Sequence, residues 1–166
     1  MKQGYKQTEV EGKIHQAMRC LIKNDRHLLS VDANERSLTH RLAVYLEQVF
    51  PDYHVDCEYN RDREFPKRLE SFQKTVRSND LEGTTVYPDI IVHHRGTDIN
   101  FIVIEAKKSS AIPQCNNSSG SEDCSCDHCK LRAYKADLNY SFAYFVTFPV
   151  SGQTSWSPTE LIEEIQ

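Results

Sequence analysis

Asp89, Glu105 and Lys107 are the residues whose types and spacing bring chemistry into view. They lie in YPDIIVHHRGTDINFIVIEAKK, Tyr87 to Lys108, where apolar runs at about Val86 to His94 and Ile99 to Lys107 flank the turn-like Arg95-Gly96-Thr97-Asp98. If Arg95 faces Ile99 across a three-residue hairpin loop, antiparallel pairing sets Ile90 against Ile104 and Asp89 against Glu105. Directly opposed side chains have Cβ atoms roughly 4.5–5.5 Å apart on one face, and Lys107 shares that face. Two carboxylates at such range repel unless a proton or a cation sits between them. A hard divalent ion, Mg²⁺ or Mn²⁺, held by oxygens and water is the natural occupant. The adjacent lysine could orient or help deprotonate an attacking water, or offset charge developing on a phosphate. That is hydrolytic chemistry on a phosphodiester. In the competing reading the three charges solvate strand ends, and Glu105 and Lys107 form a surface pair worth little. Against it stand the apolar run Phe101 to Ile104 before Glu105 and the proline before Asp89.

The elements that must position these groups are legible as patterns. Ile14, Met18, Leu21 and Ile22 mark a helix over about Glu11 to Ile22. A second helix opens near Asp32, where Asp32 and Glu35 have capping-box spacing, and runs through Leu38, Leu42, Leu46 and Val49 until Pro51. Tyr53, Val55, Cys57 and Tyr59 alternate with polar residues as a strand, and Leu69, Phe72 and Val76 fit one side of a short helix. After the hairpin comes an aperiodic Ser-, Asn- and Cys-rich loop, then a helix over about Cys129 to Leu138 and a strand over Ser141 to Phe148. Ser157, Pro158 and Glu160 read as the capped start of a C-terminal helix carrying Leu161, Ile162 and Ile165. The core order is αβββαβ, an α/β (α+β) mixed sheet flanked by helices. One domain spans 1–166, with its core at about 32–148 and a Cys-rich insertion at about 109–129.

Length and composition bound the function. A chain of 166 residues with 39% hydrophobic and 27% charged residues buries a core without staples. Met1 to Val10 lacks the apolar stretch of a secretory signal, and no aliphatic run approaches the roughly 20 residues of a membrane span, so a cytoplasmic protein without a membrane partner is expected. A net charge of −4 excludes a uniformly basic nucleic-acid binder but leaves room for a local basic groove. Arg61, Arg63, Lys67, Arg68, Lys74 and Arg77 form the densest basic stretch, diluted by Asp62, Glu64 and Glu70.

Six cysteines without an export signal read as reduced thiols or metal ligands. Cys115, Cys124, Cys126 and Cys129, with His128 beside them, supply enough ligands for a structural Zn²⁺, although only Cys126 and Cys129 have the usual C-x2-C spacing; a loop with free thiols is the alternative. Cys20 and Cys57 sit in helix and strand patterns and read as small buried hydrophobes.

Pro88-Asp89 followed by Glu105-Ala106-Lys107, within the αβββαβ order, resembles the PD-(D/E)XK phosphodiesterase superfamily, whose fold is the restriction-endonuclease-like one. Glu35 in NERSLTHRL matches the glutamate that the family often carries on the helix before the first core strand. The resemblance implies that Asp89, Glu105 and the backbone carbonyl of Ala106 hold Mg²⁺ or Mn²⁺, that Lys107 acts on the attacking water, and that Glu35 assists. Related nucleases often place a lysine or glutamine on the helix after the hairpin, which makes Lys130 a phosphate-contact candidate beside Arg61, Arg63, Lys67 and Arg68. The expected activity is a metal-dependent nuclease hydrolysing phosphodiester bonds, foremost in DNA with RNA left open, and compatible with a homodimer. The alternative is a nuclease-fold binding or interaction module that works through a zinc-stabilised Cys-rich loop with little or no hydrolysis.

Overall fold

Ile14, Met18 and Leu21 are fully buried, as their helical spacing requires. They line α1, Gln7–Asn24, which is longer at both ends than the pattern predicts. The structure, a computed structural model, describes residues 5–62, 65–66, 68–69, 84–85, 87–111, 127–151, 157 and 160–166, with the backbone alone at 61–62, 65–66, 68 and 84–85. A five-residue helix, α2 (Arg26–Ser30), follows α1 and is too short to announce itself by periodicity.

Helix α3, Glu35–Val49, buries Leu38, Leu42 and Leu46 in the same core cluster as α1. Its cap corrects the expected capping box. Asn34 is the N-cap, its Oδ1 accepting the Ser37 N–H at 2.8 Å. Asp32 lies outside the helix in the left-handed region, φ 50°, and pairs with Lys108 at 2.9 Å. Glu35 is thus the first helical residue and its carboxylate is left for partners outside the helix. Asn34→Ala is expected to cost about 1 kcal/mol by removing the cap, read as a lower urea midpoint at unchanged slope.

One five-stranded mixed sheet carries the rest. Its strands are β1 (His54–Cys57), β2 (Ile90–His93), β3 (Asn100–Lys108), β4 (Phe142–Phe148) and β5 (Ile162–Glu164), adjacent in that order. All neighbours are antiparallel except β3 and β4, whose parallel pairing is connected through α4 (Asp127–Leu138). The expected hairpin register holds where it matters, with Ile90 opposite Ile104 and Val92 opposite Ile102. The loop does not follow the expected route. His93 pairs with Asn100 across a register shift, and the His94 N–H donates to the Ile99 carbonyl at 3.1 Å, so a longer turn through Gly96 (φ 72°) is absorbed by a bulge.

The sheet is buried on both faces. Ile90, Val92, Ile102, Ile104 and Ala106 share one cluster with α1 and α3, while Ile91, Val103, Ala143 and Phe145 share another with Leu131 and Tyr134 of α4. Beyond Ile102 the odd-numbered residues of β3, Val103, Glu105 and Lys107, therefore belong to the α4 face, whereas Phe101, near the bulge, packs in the α1 and α3 cluster.

Two local expectations fail for tertiary reasons. Leu69 stands in a two-residue antiparallel ladder, Arg68–Leu69 with Thr84–Thr85, and not in a helix; Phe72 and Val76 lie outside the described residues. The C-terminal capping signal does form a turn, since the Ser157 N–H donates to the Glu160 carboxylate at 3.0 Å. The chain then leaves as β5, because pairing with β4 satisfies its backbone and buries Leu161 and Ile165. Among the described residues no helix is long and apolar enough to cross a membrane.

Candidate active site

The site lies at the C-terminal end of β3. Buried Pro88 leads the chain into Asp89, just ahead of β2. The Ile90–Ile104 register carries Asp89 alongside Glu105 and Ala106, and its Oδ2 accepts the Ala106 N–H at 2.8 Å. That bond fixes the carboxylate against the strand.

Glu105 is 1% exposed, flanked in sequence by an apolar strand and covered by α4. Its Oε2 accepts from Lys130 Nζ at 2.7 Å. Its Oε1 is buried without a well-formed hydrogen bond, as is the hydroxyl of Tyr134, one helical turn beyond Lys130, and the two groups lie close enough for Glu105 to add to desolvation in raising the phenol's pKa. A buried unsatisfied acceptor costs about 1–3 kcal/mol, and such groups in a native fold call for a functional explanation.

Lys107 projects beyond Glu105, its ammonium 3.2 Å from Glu35 Oε1 and 3.9 Å from Asp127 Oδ2. Glu35 also accepts the Lys108 N–H through Oε2 at 3.3 Å, so the start of α3 is tied to the end of β3 by both carboxylate oxygens. Burial pulls the Lys107 pKa down, but Asp127, Glu35 and Asp89 together outweigh it and the net shift is upward. Lys107 is therefore an ammonium at neutral pH, suited to orienting and stabilising negative charge more than to removing a proton. Four carboxyl groups, Glu35, Asp89, Glu105 and Asp127, surround the ammoniums of Lys107 and Lys130, leaving a formal deficit of two positive charges.

The two central carboxyls titrate high. Desolvation pushes Glu105 up to about 8, the Asp89 charge adds to this, and Lys130 opposes it. Desolvation likewise raises Asp89, against the Ala106 N–H bond and the charges of Lys130 and Lys107. A carboxyl whose pKa is raised by folding contributes stability fully below its unfolded value and loses that contribution as pH rises through the folded value. With chelator present, the melting temperature should therefore fall between about pH 5 and pH 8, and Glu105→Gln should flatten that fall. Thermal melts of both proteins across this range check it; a wild-type melting temperature that rises toward pH 8 would contradict it.

Beside Asp89 opens a cleft of about 230 Å³ lined by Glu35, Arg36, Thr39, Cys57, Glu58 and Asp89. Cys57 is exposed at the edge strand, which corrects its expected burial, while Cys20 is half-buried. Although Cys57 as a whole is exposed, its thiol lines the cleft and is pushed up to about 11, by desolvation first and then by Asp56, Asp89 and Glu58, so it stays protonated.

The structure brings Asp89 beside Glu105 and Ala106 and Glu35 onto Lys107, and Lys130 joins them through Glu105. Asp127, Tyr134, Arg36 and Glu58 were not anticipated. Asp127 had a faint signal as an acidic residue in the first turn of a helix, whereas the other three are brought in by packing alone. Arg63 and Lys67 lie outside the described residues, and Arg61 and Arg68 are described by their backbone ladders only. Cys115, Cys124 and Cys126 also lie outside the described residues, and with them the expected zinc site. Cys129 is disulfide-bonded, which corrects its expected state as a reduced thiol or zinc ligand, and His128 stacks on Phe145 with its Nε2 3.0 Å from Glu163. Among the described residues no three His, Cys, Asp or Glu side chains converge tightly enough to hold an ion unaided.

Comparisons of the chain with family models, with curated proteins and with solved structures return no match.

Proposed function

We propose that the protein is a metal-dependent phosphodiesterase of the PD-(D/E)XK kind, built on a restriction-endonuclease-like core and acting on nucleic acid, foremost DNA. The observation that carries this reading is the buried Glu105 carboxyl, set beside Asp89, paired through one oxygen with Lys130 and without a well-formed hydrogen bond at the other. An apolar interior that keeps such a group, against a solvation cost of several kcal/mol, is best explained by a cation or proton that it meets in function.

The donor set fits a hard divalent cation. Its atoms are oxygens, and with all four carboxyls ionised the surrounding charge is negative by the amount such an ion would neutralise. Asp89 and Glu105 would hold it together with the Ala106 carbonyl and water. Bound there, Mg²⁺ would polarise a phosphoryl oxygen as a Lewis acid. The remaining work falls to this chain. Lys107 would hold the attacking water through Nζ and stabilise charge growing on the phosphoryl oxygens, and Glu35 and Asp127 would keep it charged and aimed. Lys130 would offset the Glu105 charge before substrate arrives and turn toward phosphate afterwards.

The test is cleavage of plasmid, linear duplex, single-stranded DNA and RNA by the purified protein, with Mg²⁺ or Mn²⁺ and with chelator. Metal-dependent strand scission of at least one DNA is expected. Binding without scission of any of them would favour the interaction module.

A further inference from the structure

We propose that the cleft beside Asp89 is a subsite for a second phosphate of the nucleic-acid substrate, one nucleotide away from the scissile bond, with Arg36 as its contact and Glu58 as the counter-ion that phosphate displaces. This deepens the reading of the site as a phosphodiesterase and rests on it. Among the described residues lining the cleft, Arg36 carries the only positive charge. It follows Glu35 directly, so the helix turn that sends Glu35 to Lys107 presents Arg36 at the mouth of the cleft. Its side chain is 84% exposed and its guanidinium meets Glu58 at 3.0 Å, a pair too solvated to serve the fold.

Glu58 is held to the site by its backbone. It adopts the left-handed φ of 49°, uncommon for a residue of its kind, and its N–H donates to the Asp89 carbonyl at 3.3 Å. The bend after β1 thus sets a carboxylate against Arg36, next to the backbone of a proposed metal ligand. A planar guanidinium suits a phosphate's paired oxygens better than an exposed carboxylate that water already solvates. A phosphodiester strand laid from Asp89 into the cleft would place its neighbouring phosphate where Glu58 now sits. Thr39 and Cys57 add no charge to the cleft, and of its other two carboxyls Glu35 is paired with Lys107 and Asp89 faces the proposed cation.

The two partners predict opposite effects. Arg36→Ala should raise KM for a short DNA about tenfold, hold kcat within about threefold, and reduce the slope of log affinity against log salt by about 1. Arg36→Lys should restore the slope but only part of the affinity, because it keeps the charge and loses the fork. Glu58→Gln should lower KM a few-fold at low salt. A merely structural pair would move both variants the same way. Wild-type protein that cleaves while Arg36→Ala keeps its KM and salt slope, or a Glu58→Gln variant that binds more weakly, would overturn the subsite alone. Wild-type protein that cleaves no nucleic acid would end the subsite together with the functional reading.

Discussion

Lys107→Ala is expected to lower metal-dependent hydrolysis by roughly two to four orders of magnitude, the scale of one lost acid-base or electrostatic group. Folding and metal affinity should be nearly unchanged, since the ammonium is partly exposed and faces Glu35 and Asp127, neither of which is a proposed ligand. Its surroundings raise its pKa, so the loss is that of a fixed positive charge and not of a base. Lys107→Arg, which keeps the charge on a longer planar fork, should recover part of the rate. DNA affinity should change little. Single-turnover rates at saturating enzyme, with circular dichroism as a folding control, read this directly; a rate within threefold of wild type would remove Lys107 from the chemistry.

The second large effect belongs to the carboxylates. Asp89→Ala and Glu105→Ala should each abolish detectable cleavage and tight Mn²⁺ binding, because each removes an anionic oxygen ligand. Their effects on the metal-free fold should differ. Glu105→Ala strands the Lys130 ammonium and opens space under α4, whereas Asp89→Ala leaves the Ala106 N–H without its acceptor. The double variant should be no less active than either single one, since the groups act as one unit and the first loss already removes its function. Calorimetric titration with Mn²⁺ at pH 8 checks the binding half. Equal Mn²⁺ affinity in wild type and Glu105→Ala would place the cation elsewhere.

The candidate site was legible in the hairpin because burial on two faces fixes a register: a one-residue slip of β3 against β2 would turn Ile102 and Ile104 toward α4 and Glu105 toward α1 and α3. The register follows from the apolar pattern even though the turn is longer than its sequence suggests, since the bulge at His93 lies beyond the pairs that matter. Glu35 was legible as a motif match but ambiguous as a cap. Asn34, a better cap one residue before it, resolved the matter through its bond to Ser37, a choice that adjacent capping residues leave open in sequence. The C-terminal segment shows the opposite case. Its turn chemistry at Ser157 and Glu160 was real, but the partner that made it a strand, β4, is distant in the chain and invisible to local propensity. Arg36, Glu58 and Tyr134 were hidden for the same reason, because a surface ion pair and a tyrosine one turn from a lysine carry no signal until the sheet brings them to Asp89 and Glu105.

The central claim is that Glu105, buried beside Asp89 and paired with Lys130, serves a divalent cation in phosphodiester hydrolysis. The most direct test compares wild type with Glu105→Gln, which keeps the shape and removes the charge, on one labelled DNA at pH 8 with Mg²⁺ and with chelator. Scission by wild type in Mg²⁺ only, and none by Glu105→Gln, is the expected result. Equal scission by the two proteins, or scission by wild type in chelator, would contradict it.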